Sequence, residues 1–199
     1  NWTVRGLWNR DYSESREPLV PSAIIELLSH QNWADLKLGH DPKFKFDFSR
    51  SVYKSIAQFV SFQHGKEYVI HPLPVNSFAA DVNVEKKTVR LSWKDTKDIT
   101  EPTANPEKYV LYTMINNGAF DNGRVIDHNN CEVRLIPGNI YSFKITAINK
   151  GGESFPSEIL CAYISPTENK TKVLIVNAFD RLEGPAEINT STEQGFDLN

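Results

Sequence analysis

A chain of 199 residues with a formal net charge of −3 and 40% hydrophobic residues has room for one or two domains. Its basic residues are scattered along the chain, which excludes the clustered electrostatic footprint of a nucleic-acid binder. No run approaches the roughly 20 apolar residues of a membrane-spanning helix, and Asn1-Trp2-Thr3-Val4-Arg5 does not have the character of a signal peptide.

Residues 1–12 are rich in tryptophan and arginine without a clean period, and they read as a piece of something larger. Glu14 to Pro21 is charged and punctuated by proline, as in a surface loop. Ala23-Ile24-Ile25-Glu26-Leu27-Leu28 is a short, nearly continuous apolar run after a proline. Such a run suits a buried strand of a parallel sheet, and a carboxylate inside it is costly unless it is paired, terminal or used. Glu26 is therefore the candidate functional residue of this region. Asn32 is placed to cap a short helix over Trp33 to Leu38 that Gly39 ends. A longer helix is expected from Asp47 or Ser49, with Val52, Ile56, Phe59 and Val60 on one face and Gly65 as its stop.

Lys66 to Pro74 contains Tyr68, Val69 and Ile70 and is stiffened by two prolines, so it predicts a packed junction in place of a loose tether. Alternating apolar residues then resume in Val89-Arg90-Leu91-Ser92-Trp93, a strand that ends in a large ring, and in Tyr109-Val110-Leu111-Tyr112, a strand able to pack against it. Leu135-Ile136-Pro137-Gly138-Asn139-Ile140-Tyr141 makes a corner that leads into a half-buried strand through Asn149. Gly151 to Ser157 is turn chemistry before a last strand over Glu158 to Tyr163.

Taken together, the Trp93 strand, the Tyr109 strand, the Leu135-x-Pro-Gly-x-x-Tyr141 corner and the Asn149-x-Gly-Gly-Glu-Ser-x-Pro-Ser157 loop resemble a fibronectin type III domain over about residues 72–166. The resemblance implies a mainly β, immunoglobulin-like sandwich. It also places Cys131 on the fifth strand and Cys161 on the last, at opposite corners, which implies two free and mostly buried thiols. Exposed loops at one end of such a sandwich are the natural recognition surface. Phe120 is the sole aromatic near the turns at Asn116-Asn117-Gly118 and Asp121-Asn122-Gly123, a poor platform for stacking a sugar.

A second resemblance covers the first 65 residues. Pro21 to Asn32, the Asp41-Pro42 turn and the helix through Tyr53 and Ile56 look like the C-terminal end of a zinc-dependent N-acetylmuramoyl-L-alanine amidase domain. Large secreted bacterial proteins, some labelled xanthan lyase, join such a domain to a fibronectin type III module. In those amidases the last core strand ends on a glutamate that acts as general base or transition-state stabiliser beside zinc, and Glu26 matches that position. The two histidines and the glutamate that would hold the zinc belong to earlier strands, and no matching motif occurs in this chain. A catalytic zinc needs about three protein ligands plus water, so no cofactor is expected in this fragment, and zinc only in a larger parent protein.

Other arrangements carry less. His30 and His40 do not have the spacing of a helical or hairpin ligand pair, and His64 and His71 flank a helix end and a linker. Ser29 beside His30 is adjacency without an elbow motif. Asp121-Asn122-Gly123 reads as a hairpin turn, and Gly151-Gly152, with no helix after it, is not a phosphate loop. Lys172 to Arg181 reads as a buried strand with a polar exit, and 184–199 as polar and non-periodic. The expected organisation is an α/β fragment over 1–65, a linker over 66–74, the sandwich over 75–165, and over 166–199 a linker with the first strand of a following domain.

The function implied is that of a non-catalytic spacer in an exported bacterial protein whose parent acts on peptidoglycan or polysaccharide. A carbohydrate- or protein-binding adhesion module is the competing reading. Degeneration of the amidase-like piece into packing material is a third.

Overall fold

The computed structural model describes residues 6–167, 173–176 and 183–197. They divide into two compact units, 6–50 with 183–197 and 51–167 with 173–176.

In the first unit, α1 (Ser13–Arg16) is a single turn. α2 (Trp33–His40) begins where expected: the Asn32 side chain accepts the Ala34 N–H at 3.0 Å, which satisfies an orphan donor of the first turn. Asp35 is buried in that turn and accepts the Ser29 N–H at 2.9 Å. α3 (Pro42–His64) starts earlier than the expected Asp47 or Ser49. The cause is local: the Asp41 carboxylate accepts the Lys43 N–H at 2.8 Å and Pro42 occupies the first helical position, where no N–H is needed. Phe44 and Phe48, one turn apart, stack with centroids 6.5 Å apart.

Residues 23–28 are the main departure from expectation. They form no strand, and Ile24, Ile25, Leu27 and Leu28 are all exposed, Ile25 at 56%. A run of six residues between turns has no periodicity that tells a strand from an irregular segment, and here no neighbouring strand is available to pair with it among the described residues. The β structure of this unit comes from the far end of the chain. β9 (Ala186–Asn189) and β10 (Gln194–Asp197) form an antiparallel hairpin inside the stretch expected to be non-periodic. Phe196 on β10 meets the rings of Trp33 and His40 at 4.8 and 4.4 Å, and Lys37 pairs with Glu187.

The second unit holds the sandwich. β1 (Asn76–Asn83), β2 (Thr88–Lys94) and β5 (Asn130–Arg134) form a three-stranded antiparallel sheet in the order β1-β2-β5. β3 (Lys108–Ile115), β4 (Arg124–Ile126), β6 (Ile140–Asn149), β7 (Gly152–Glu153) and β8 (Leu160–Tyr163) form the other, in the order β4-β3-β6, with β7 and β8 both paired to β6. Period-two alternation sends Val89, Leu91 and Trp93 from one sheet and Tyr109, Leu111, Phe143 and Ile145 from the other into one core. Trp93 lies edge-on to Tyr109 at 5.2 Å, as the two runs predict, and edge-on to Phe78 at 6.3 Å. At the corner Gly138 takes φ +91, a conformation that favours glycine, and the Tyr141 hydroxyl accepts the Ile136 N–H at 3.2 Å.

The end of α3 is closed by Gly65 in the left-handed region at φ +58. Lys66 N–H bonds Ser61 O at 2.9 Å and Gly65 N–H bonds Phe62 O at 3.3 Å, the paired closure of a glycine-terminated helix. The apolar face named above is not a buried one. Val52 is half-buried, but Ile56, Phe59 and Val60 are exposed, Ile56 at 58%. The neighbouring face is used instead, through Tyr53 and Lys54. Val173, Leu174, Ile175 and Val176 are likewise exposed and form no strand, against the buried strand expected there. The remainder of that stretch, 172 and 177–181, lies outside the described residues.

Candidate functional site

A polar network of the second unit lies where the segment before the sandwich meets the loops at one end of it. Ile70 and Pro72 are fully buried. The Ile70 N–H donates to Thr103 Oγ1 at 3.1 Å, and its carbonyl accepts from the Asn149 side chain at 2.9 Å. The same Asn149 amide reaches the Thr103 and Asn105 carbonyls at 3.1 and 3.2 Å, while its Oδ1 accepts the Gly151 N–H at 2.8 Å. One side chain thus satisfies carbonyls from the pre-sandwich segment and from the loop after β2. Gly151 is required by contact: a Cβ there would sit 2.6 Å from Ile70 C and Val69 O and 2.8 Å from His71 N.

Glu101 is the buried charge of this network. It accepts from the Tyr68 hydroxyl at 2.8 Å and from Thr103 Oγ1 at 2.7 Å, with the Thr103 N–H at 3.3 Å. Burial pushes its carboxyl upward, but the hydrogen bonds from Thr103 and Tyr68 and the Lys54 charge together bring it below the ordinary carboxylate range. Lys54 on α3 pairs with Asp98 at 2.9 Å, their side chains 16% and 7% exposed, and also reaches Thr100 Oγ1 at 2.9 Å. The His71 ring meets the Tyr53 hydroxyl at 2.8 Å. Neither Glu101 nor Asn149 was singled out as functional from sequence. The signal that existed was the position of Asn149 ahead of the double glycine and of Glu101 in a polar loop.

A second cluster lies on the outer face of the five-stranded sheet. Lys144 Nζ sits 5.2 Å from the Tyr112 ring centre and 4.5 Å from that of Phe120. Glu153 accepts from the Tyr112 and Thr146 hydroxyls, both at 2.6 Å. That bond to Glu153, with burial and the carboxylate charges added, pushes the Tyr112 hydroxyl up to about 12. Phe120 is therefore covered by a lysine of its own sheet. Asp121 is committed to the turn, accepting the Gly123 and Thr113 N–H groups at 3.0 and 3.1 Å.

Glu26 is exposed, in the irregular segment that replaces the expected strand. His30 lies exposed at a turn, His40 against Phe196, and His64 exposed at the end of α3. No group of three or more His, Cys, Asp or Glu side chains able to hold a metal occurs among the described residues. The described residues thus do not fit a catalytic zinc, which needs about three protein ligands. Cys131 and Cys161 are free. Cys131 is half-buried, its thiol pushed up by burial against the opposing effect of Arg124, whereas Cys161 is exposed, contrary to the mostly buried pair expected. It sits on a strand edge, where its Sγ lies 3.3 Å from Ser142 Oγ. Among the described residues no helix is long and apolar enough to cross a membrane.

A three-stranded sheet packed on a larger one, the edge-on tryptophan and the tyrosine corner define a fibronectin type III β-sandwich. No protein-family model matches the chain. Among solved structures it is similar to the twitchin kinase region from C. elegans, at 24% identity over 51% of this chain with a TM-score of 0.43. It is also similar to a fourth fibronectin type III domain of human origin, at 21% identity over 51% of this chain and 86% of that one, TM-score 0.42. The FN5 domain of Drosophila Lar is similar at 16% identity over 48% and 99%, TM-score 0.37. The chain covers 18% of the twitchin region and 18% of a titin kinase with its flanking domains.

Proposed function

We propose that this chain is a spacer of a modular exported bacterial protein, and that its sandwich holds the segment before it in a set position while other parts of the parent act on cell-wall peptide or polysaccharide. The observation that carries the reading is the Asn149 clasp, in which one side chain joins Ile70, Thr103 and Asn105 by their carbonyls. A flexible tether leaves its backbone to water. Here the Ile70 backbone is bonded on both sides and its side chain is buried. The exported bacterial setting rests on the sequence resemblance of Pro21 to Asn32 to the end of a cell-wall amidase alone, since residues 23–28 do not form the strand that the resemblance implies.

The test is backbone amide relaxation on the full chain. Residues 66–74 should share the order parameters of the β-strands, near 0.85, and Asn149→Ala should lower them toward the flexible range below about 0.6. Flexible values in the unaltered chain would sink the spacer reading.

A further inference from the structure

The outer face of the three-stranded sheet carries a groove of about 430 Å³ that the clasp does not use. Strand register sets Asp81, Arg90 and Glu132 in one row across β1, β2 and β5. Because Val89 and Leu91 point into the core, Arg90 between them points outward, and all three residues of the row are exposed. The next row brings Asn83, Thr88 and the exposed Arg134 side by side, Arg134 lying outside the groove lining, and the Thr88 hydroxyl donates to Glu132. Opposite charges side by side on neighbouring strands ordinarily pair. Among the described residues Arg90 forms an ion pair with neither Asp81 nor Glu132, so its five donors remain available.

The lining charges choose the ligand. Two are negative, Asp81 and Glu132, and two positive, Lys86 and Arg90, so the groove is neutral as a whole. An anion aimed at Arg90 meets a carboxylate on each side, and a cation aimed at either carboxylate meets Arg90 or Lys86. An apolar ligand strips water from four charges and returns nothing. A neutral molecule with adjacent hydroxyls incurs none of these costs, since one hydroxyl donates to a carboxylate while its neighbour accepts from the guanidinium. The row crosses two strand spacings of about 4.8 Å, roughly 10 Å in all, longer than a single sugar ring.

We infer that this face binds a neutral oligosaccharide, with Arg90 as the central donor and Asp81 and Glu132 as flanking acceptors. The site differs from the loop and Phe120 surface that the sequence suggests, and it does not depend on the spacer reading. No aromatic ring lines it, so recognition rests on hydrogen bonds and the dissociation constant is on the order of a millimolar.

The experiment is an amide chemical-shift titration of the isotope-labelled full chain with cellotetraose, maltotetraose and chitotetraose, and with tetragalacturonate as the acidic comparison. At least one neutral tetrasaccharide should shift resonances of residues 81–83, 88–90 and 130–132. Arg90→Ala, or Arg90→Gln should the alanine variant misfold, should weaken that binding about tenfold or more. Lys144→Ala, on the opposite sheet, should leave it unchanged. The inference is overturned if none of the three neutral sugars perturbs this face at about 50 mM, if tetragalacturonate binds it more tightly than they do, or if a folded Arg90 variant binds as well as the unaltered chain.

Discussion

The Tyr141 hydroxyl meets the Ile136 N–H five residues upstream, a donor that the Pro137-Gly138 turn would otherwise leave without a strand partner. Tyr141→Phe should lower stability by about 1–2 kcal/mol, read as a lower denaturant midpoint at unchanged slope; an unchanged midpoint would show that water replaces the bond at no cost. Gly151→Ala drives a methyl into the backbone of 69–71 and should cost about 1–3 kcal/mol by overpacking. Three ionisations bracket the pH range of stability, one on the acid side and two on the alkaline side. Glu101 has a folded pKa below its ordinary value, so its contribution is present above the unfolded pKa of about 4.3 and is lost as pH falls through the folded value. A Glu101→Gln variant should lose this acid-limb dependence in urea unfolding curves. Tyr112 is raised to about 12 by the bond to Glu153, and Tyr109 is raised by burial and its bond to Asp95. Their contribution is full below the unfolded pKa of about 10 and is lost as pH rises through the folded values. Ultraviolet titration should therefore show two late-ionising tyrosines, and Glu153→Gln should bring one of them back toward 10.

Lys54 and Asp98 tie α3 to the loop after β2 through a largely buried pair. Removing one partner leaves the other charge in a poorly solvated place. Lys54→Ala should cost about 2 kcal/mol, with the loss seen first as faster amide exchange over 51–64; exchange unchanged there would mean that the helix is held by other contacts. The start of α2 and the end of α3 were legible because Asn32, Gly65 and their hydrogen-bond partners lie within a few residues of one another, whereas α2 runs through the expected stop at Gly39 to His40. The corner at Tyr141 was legible for the same reason. Ala23 to Leu28 and Val173 to Val176 were not, because an apolar run reports only what a residue prefers to touch, and whether a partner surface exists is decided elsewhere in the chain. The hairpin of β9 and β10 was missed because its turn, Thr190 to Glu193, contains neither glycine nor proline, and because Ile188 and Phe196 fall on opposite faces, so that no apolar side shows in the alternation. For the candidate site, the sequence pointed to a packed junction at 66–74 but not to Asn149 as its centre, since its acceptors lie 44 to 79 residues away.

The two units differ in how much apolar surface they bury. Every residue of the buried hydrophobic cluster belongs to the sandwich, and in the first unit only Asp35 is buried among the described residues. Amide exchange followed by mass spectrometry should therefore find β2, β3 and β6 protected longest and residues 17–31 exchanging at the earliest times. Long-lived protection over 17–31 would contradict that ordering. The Asn149 clasp also sets an order in time. Ile70 and Asn149 are 79 residues apart, so on a ribosome adding about 5–20 residues per second the pre-sandwich segment waits several seconds for the amide that will hold it. During that interval Ile56, Phe59 and Val60 emerge with the helix, while β6 does not yet exist. Closing so long a loop is entropically slow, which makes docking of 66–74 a late event of folding and the newborn helix the stage of synthesis most exposed to aggregation.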